Sequence, residues 1–212
     1  MNILLHICCS NCSLYPLKLL RSGNHNITGF WFNPNIHPLE EYRSRLASLK
    51  KLSDVWQVDI DYAEKYAPEE YFKALNVPKE SALCQNNVNG LMNSSSRSGD
   101  FNIPPAPDRC RACYQLRLEK TAEKAREDGY DAFTTTLLIS PYQDSEQISN
   151  AGARCAETYN IMFHMEDFRP FFREAMDLAK EVGLYRQKYC GCIFSKEERY
   201  KKNDKIQISN NK

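Results

Sequence analysis

Short apolar runs alternate with amphipathic stretches along most of the chain. Ile3–Ile7 is compact and apolar, as a buried strand would be, and Ile27–Phe32 repeats it before the turn signal Asn33-Pro34-Asn35. Val55–Ile60 alternates towards Asp59 and Asp61, Ala132–Ile139 is rich in Thr, and Ile161–Met165 is the last such run, giving five predicted strands. Between them lie helical patterns: Leu14–Arg21, stopped by Gly23; Glu40–Leu52, with Leu46 and Leu49 on one side; and Pro68–Leu75, opening on Pro and acids. Cys110–Asp128 closes on Gly129, Asp144–Tyr159 opens on a capping-box pair of Asp144 and Gln147, and Phe171–Val182 closes on Gly183.

Strands that alternate with helices pair in parallel through right-handed crossovers, so the fold class is α/β, a parallel sheet flanked by helices. Ligands of such sheets bind outside the carboxyl ends of the strands. Cys8, Cys9 and Cys12 sit at that end of the first strand, and Asn33–Asn35, Asp61 and Ser140–Tyr142 follow their strands in the same way. Two stretches break the rhythm. Residues Gln85–Asp108, full of Asn, Ser, Gly and Pro, read as a long mobile loop, either a lid over what Cys110 binds or an inserted surface loop. Lys201–Lys212 reads as a disordered tail, leaving 1–200 as a single α/β domain.

With 212 residues and 42% hydrophobic side chains, the chain buries a core without disulfide staples. No basic n-region or long apolar h-region follows Met1–Asn2, and no apolar run approaches the ~20 residues of a membrane span. The expectation is a cytoplasmic protein with reduced thiols and no membrane partner. The net charge of +1 provides no global field for nucleic acid. Four local clusters remain: Arg43, Arg45, Lys50 and Lys51; Arg109, Arg111 and Arg117; Arg186 and Lys188; Arg199, Lys201 and Lys202. Each is either a solvated helix face or terminal tail, or a local nucleic-acid contact.

The cysteines change the picture most. Seven of nine fall into three tight groups: Cys8, Cys9 and Cys12; Cys110 and Cys113; Cys190 and Cys192. Cys84 stands alone, and Cys155 shares an apolar helix face with Ile148 and Tyr159, as a small core residue would. Cys9-x2-Cys12 and Cys110-x2-Cys113 have the spacing of two zinc knuckles, but zinc would leave Cys8 over. Five converging thiols suit a four-iron cluster with one thiol to spare for a second metal or for catalysis. Cys190-Gly191-Cys192 can close a small strained disulfide that cycles as a two-electron relay, or it can supply further metal ligands.

These residues carry a resemblance. Leu5-His6-Ile7-Cys8-Cys9, Phe32–Pro38 followed by Glu41-Tyr42-Arg43-Ser44-Arg45, and Arg109–Tyr114 with Arg117 match, in order, blocks of the QueH-type epoxyqueuosine reductases. Phe133–Leu138, Ser140-Pro141-Tyr142-Gln143, Asp167-Phe168-Arg169-Pro170 and Tyr185–Cys192 continue the match, so it spans about residues 3 to 200. The resemblance implies reduction of epoxyqueuosine to queuosine at the wobble position of tRNA, on a Rossmann-like sheet with an appended Cys-rich metal site. It implies a [4Fe–4S] cluster on Cys8, Cys9, Cys110 and Cys113, and a redox-active disulfide between Cys190 and Cys192. A second metal ion, iron by expectation, would sit beside the cluster with Cys12 as a ligand and Asp61 as a weaker candidate. The partners would be tRNA bearing epoxyqueuosine and an unidentified electron donor.

Two departures accompany the match. The loop from Gln85 to Asp108 is longer than the family pattern, and Ser145 stands where histidine is expected. His37, Tyr142 and Asp167 are proton-donor candidates by residue type. The competing reading is a non-enzymatic, zinc-stabilised RNA-binding module, which gives no task to Cys8 or to the Cys-Gly-Cys pair. A nucleotide-activating enzyme would want a glycine-rich loop after the first strand, and Ser10-Asn11-Cys12-Ser13 has none.

Overall fold

A computed structural model of the chain describes residues 1–63, 65–77 and 105–200. Five parallel strands form one sheet: β1 (Asn2–His6), β2 (Asn26–Trp31), β3 (Ile60–Tyr62), β4 (Ala132–Thr135) and β5 (Met162–Phe163), in the order β3-β2-β1-β4-β5. Ile3 pairs with Ile27 on one side and Ala132 on the other, so β1 is central. Ile3, Leu4 and Leu5 are fully buried, because a central parallel strand is covered on both faces and must be apolar throughout.

Helices α1 (Ser10–Ser22) and α2 (Leu39–Trp56) follow β1 and β2, while α3 (Pro68–Ala74) and α4 (Ala106–Glu127) precede β4. Helix α5 (Ser145–Tyr159) links β4 to β5, and α6 (Phe172–Glu181) returns to pack on α1. Right-handed crossovers then put α1 and α2 on one face and α4 and α5 on the other. The chain leaves β1 towards β2, whereas β4 lies on the opposite side of β1. The strand order therefore reverses between β1 and β4, and a crevice opens above their carboxyl ends.

Several boundaries differ from the pattern-based expectation. Helix α2 runs on to Trp56, because Leu49, Leu52 and Trp56 continue the helical stripe past the stretch that looked like alternation, and β3 begins only at Ile60. Helix α1 opens at Ser10, which carries Cys12 in its first turn. The fourth strand stops at Thr135, whose hydroxyl accepts from the Leu137 amide at 3.1 Å and turns Thr136–Ile139 into a 3-10 helix. Helix α4 starts at Ala106, so Asp108 is helical rather than part of a loop. A closing helical stretch, 193–200, had no clear signal. The rest of the expected loop, Cys84 and the expected tail lie outside the described residues.

A second, smaller apolar cluster joins Tyr71 and Phe72 of α3 and Leu75 just after it to Cys113, Cys192, Ile193 and Phe194. It packs α3 and the closing helix against α4, and two of the grouped cysteines are part of it.

Candidate metal and redox centre

The site is built on the turn after β1. Ile7 still pairs with β2 through its amide, and its carbonyl accepts from Asn33 Nδ2 at 2.8 Å. The Cys8 amide donates to Thr136 Oγ1 at 3.0 Å, which ties the turn to the end of β4. Cys9 is extended and caps α1, and Cys12 follows one turn into the helix. The three sulfurs consequently lie within 4.8 Å of one another, a grouping that could hold a metal ion. Thiol donation from Cys12 and Cys9 holds Cys8 well below the usual thiol range, and donation to Cys8 pushes Cys12 well above it. Gln187 Nε2 donates to Cys9 Sγ at 2.9 Å.

On α4, Cys110 and Cys113 are three residues apart and share a face. Burial raises both thiols, Cys113 to about 11. Left alone they are neutral at pH 7, and a cation that binds them must displace their protons.

The third group is a clamped loop. Arg45 of α2 donates to the Cys190 carbonyl at 3.1 Å and the Tyr189 carbonyl at 2.9 Å while paired to Glu41 at 2.7 Å. His37 donates its amide to the Gly191 carbonyl at 2.9 Å, and the Tyr189 hydroxyl donates to the His37 carbonyl. Gly191 has φ +128°, and a Cβ there would come within 3.1 Å of Ile36 Cγ1. The positive φ calls for glycine, and the close approach to Ile36 adds to that preference. The sulfurs of Cys190 and Cys192 stand unbonded, 4.0 Å apart. Cys190 is lowered to about 5 by the Cys192 thiol first and the Ser195 hydroxyl next, whereas Cys192, which donates to it, is raised.

All three groups meet at one cavity of about 100 Å³, lined by Cys8, Cys12, Cys110, Cys113, Cys190 and Cys192. Cys9 lies behind this wall, within the three-sulfur group. A second groove of about 760 Å³ shares Cys12, Gln143, Gln187 and Cys190 with the cavity and opens outward.

Two arginines decide what the inner cavity can hold. Arg45 and Arg117 also line it, and they are only 2% and 4% exposed. Arg45 has Glu41. Arg117 donates to the Cys113 carbonyl at 3.2 Å and pairs with no carboxylate among the described residues. A buried guanidinium without a counter-charge is expensive. The negative charge that balances it has to come from the thiolates or from what they bind. A cluster held by four thiolates is anionic, so the donor set and its electrostatics fit such a group.

Comparison with known proteins agrees in kind. The sequence model of the family described as Epoxyqueuosine reductase QueH matches residues 3–98 and 92–198. The chain belongs to the QueH family. The epoxyqueuosine reductase QueH of Dehalococcoides mccartyi is 32% identical over 200 residues, 94% of this chain and 95% of that one. The one from Thermotoga maritima is 32% identical over 206 residues, covering 96% and 95%. The QueH-like blocks at Leu5–Cys9, Arg109–Tyr114 and Tyr185–Cys192 each contribute residues to the cavity wall.

Other expected residues fall elsewhere. Asp61 pairs with Lys124 at 3.1 Å on the edge strand and is absent from the cavity wall. His37 is fully buried, stacked on Phe72 with a centroid distance of 5.2 Å, and burial lowers it to about 3, so it is a neutral imidazole at pH 7 rather than an imidazolium acid. Asp167 is bound to Arg169 on the surface, and Arg169 also reaches Ser145. Cys155 is buried, as its helix face implied. His6 bonds Phe32 O through Nε2 and Thr135 Oγ1 through Nδ1. A carbonyl only accepts, so Nε2 carries the hydrogen, and burial keeps the ring neutral with a pKa of about 3. His6 is a strut beneath Cys8.

Arg45 and Arg117, grouped in the sequence with surface cations, turn inward, and Gln187 and Thr136 carried no signal of their type. The arginines did carry one in their phase. Tyr42, Arg45, Leu49 and Leu52 fall on one stripe of α2, as Tyr114, Arg117, Leu118 and Thr121 do on α4. No helix among the described residues is long and apolar enough to cross a membrane.

Proposed function

We propose that this chain removes the epoxide oxygen of epoxyqueuosine in tRNA with a [4Fe–4S] cluster and an adjacent metal ion in the inner cavity, and the Cys190–Cys192 pair as relay. The observation that carries this reading is the meeting of three sequence-distant cysteine groups around a buried Arg117 that has no carboxylate partner among the described residues. Cys8, Cys9, Cys110 and Cys113 would hold the cluster, and Cys12 would serve the second metal, iron by expectation. When bound, the cluster supplies electrons singly and the neighbouring cation a Lewis acid for the leaving oxygen.

The chain's own residues supply the rest. The outer groove has the volume of a small-molecule site, whereas the inner cavity does not, so the modified base sits outside with its epoxide facing Cys12 and Cys190. Converting an epoxide to an alkene and water consumes two electrons and two protons. With Cys190 as thiolate and Cys192 as thiol, closing their disulfide releases two electrons and one proton, and solvent in the groove supplies the other proton. Arg45 holds the Cys190 loop against the cavity through both carbonyl bonds. Cys190 is exposed, and so within reach of an external reductant that reopens the pair.

Assays on tRNA carrying epoxyqueuosine test this. Cys110→Ala abolishes turnover in a protein that remains folded. Cys192→Ser blocks steady turnover but spares a single turnover driven by chemical reductant. Full activity in Cys110→Ala contradicts the assignment.

A further inference from the structure

The rim of the outer groove differs in chemistry from its floor. Tyr142 is 83% exposed, while Trp31, Phe72, Phe133 and Phe168 are fully buried. An exposed aromatic of that size is held out at a cost in apolar hydration. It is not a loose tip. The Tyr142 amide donates to Ser140 Oγ at 3.3 Å, and the Gln143 amide to the Ser140 carbonyl at 3.3 Å. Tyr114 donates to Gln143 Oε1 at 2.9 Å. The turn therefore follows directly from the 3-10 helix that anchors Cys8. Phe172 backs the tyrosine edge-on, with ring centroids 5.9 Å apart and planes at 85°.

Arg186, Lys188 and Arg199 line the same groove. All three are exposed, and none forms an ion pair among the described residues. The one acid in the lining, Glu198, is bound by Arg109. A near-neutral chain thus gathers three uncompensated cations around an exposed ring, at the mouth of a cavity too small for a nucleoside. Single-stranded nucleic acid is bound by this combination: cations along the backbone and an aromatic face on which an unpaired base stacks. A duplex offers no free base face to such a ring.

We propose that this rim is the RNA-docking surface, with Tyr142 stacking on a loop nucleobase beside the one being reduced and Arg186, Lys188 and Arg199 holding the flanking phosphates. The inference rests on the tRNA reductase reading but assigns a surface that reading leaves open. Arg111, on a separate shallow groove with Arg154 and Gln115, then faces away from the RNA.

The test is fluorescence anisotropy with the anaerobically purified full chain and tRNA carrying epoxyqueuosine, over a range of salt. Tyr142→Ala should weaken binding about 10-fold with the salt slope unchanged, as loss of one stacked base does. Arg186→Gln, Lys188→Gln and Arg199→Gln should each lower the slope of log affinity against log salt by about 0.7, the single-strand value per phosphate contact. Arg111→Gln should change neither. Unaltered iron and sulfide content in each variant shows that the site is intact. If the wild type binds but the four rim variants bind identically to it, or Arg111→Gln alone lowers the slope, the docking surface is wrong and the reductase reading stands. If the wild type itself does not bind this tRNA at low salt, the reductase reading falls and takes the docking surface with it.

Discussion

At the scale of residues, charge decides the site more than shape does. Arg117 is buried among thiols with no carboxylate among the described residues to neutralise it, so its guanidinium favours the most anionic state of whatever the cysteines bind. Arg117→Met removes that charge at similar volume. The proposed cluster should then become harder to reduce, with a midpoint lower by on the order of 60 mV, equivalent to about 1.4 kcal/mol for one electron. An anaerobic redox titration reads this, and an unchanged midpoint in a fully loaded variant would show that Arg117 is not the counter-charge. His37 makes a different prediction. Its folded pKa of about 3 lies below the unfolded value near 6.5. Between those values the unfolded chain holds a proton that the folded chain lacks, so stability is lost as pH falls through that window. Above it nothing changes. From pH 7 to pH 5 the cost is about 2 kcal/mol for this ring. Urea unfolding of the metal-free protein at both values should show a smaller pH dependence in His37→Phe, and equal dependence in the two proteins would contradict a buried neutral His37.

At the scale of elements, the loop carrying Cys190 and Cys192 is held by α2 rather than by its own strand or helix. Arg45 and the His37 amide fix its carbonyls, its Tyr189 hydroxyl bonds the His37 carbonyl in return, and Gly191 lets it turn at a positive φ close to Ile36. Gly191→Ala should cost roughly 1–3 kcal/mol through the strained φ, and alkylation of Cys190 should speed up as the clamp loosens. Unaltered melting and alkylation would mean that the loop tolerates another path. The same elements show what the sequence could and could not reveal. Four of the five strands and the six helices α1–α6 had periodic signals, so the alternation and parallel pairing were legible; the alternation at Val55–Ile60 misplaced the third strand, which is Ile60–Tyr62. Ends were not: α2 outran its stop because Trp56 fits both periods, and Thr135 ended β4 through a side-chain bond that no pattern marks.

At the scale of the whole molecule, a reversal of strand order opens the crevice, and three cysteine groups from the ends of the chain and its middle fill it. The grouping of thiols was readable because their spacing is local. The two arginines that balance them were not recognised, since a basic residue reads as surface until its helix phase is set against the neighbouring apolar stripe. The exclusion of Asp61 and His37 from the cavity likewise depends on which strand edge and which aromatic stack they join, and that is known only from the packed fold.

The most direct measurement is iron, zinc and acid-labile sulfide on protein purified without oxygen, together with the visible spectrum. About four sulfides and at least four irons per chain, the content of one [4Fe–4S] site, is the expected result. Stoichiometric zinc without sulfide, persisting after anaerobic reconstitution, would contradict the redox centre and leave a zinc-stabilised RNA-binding module in its place.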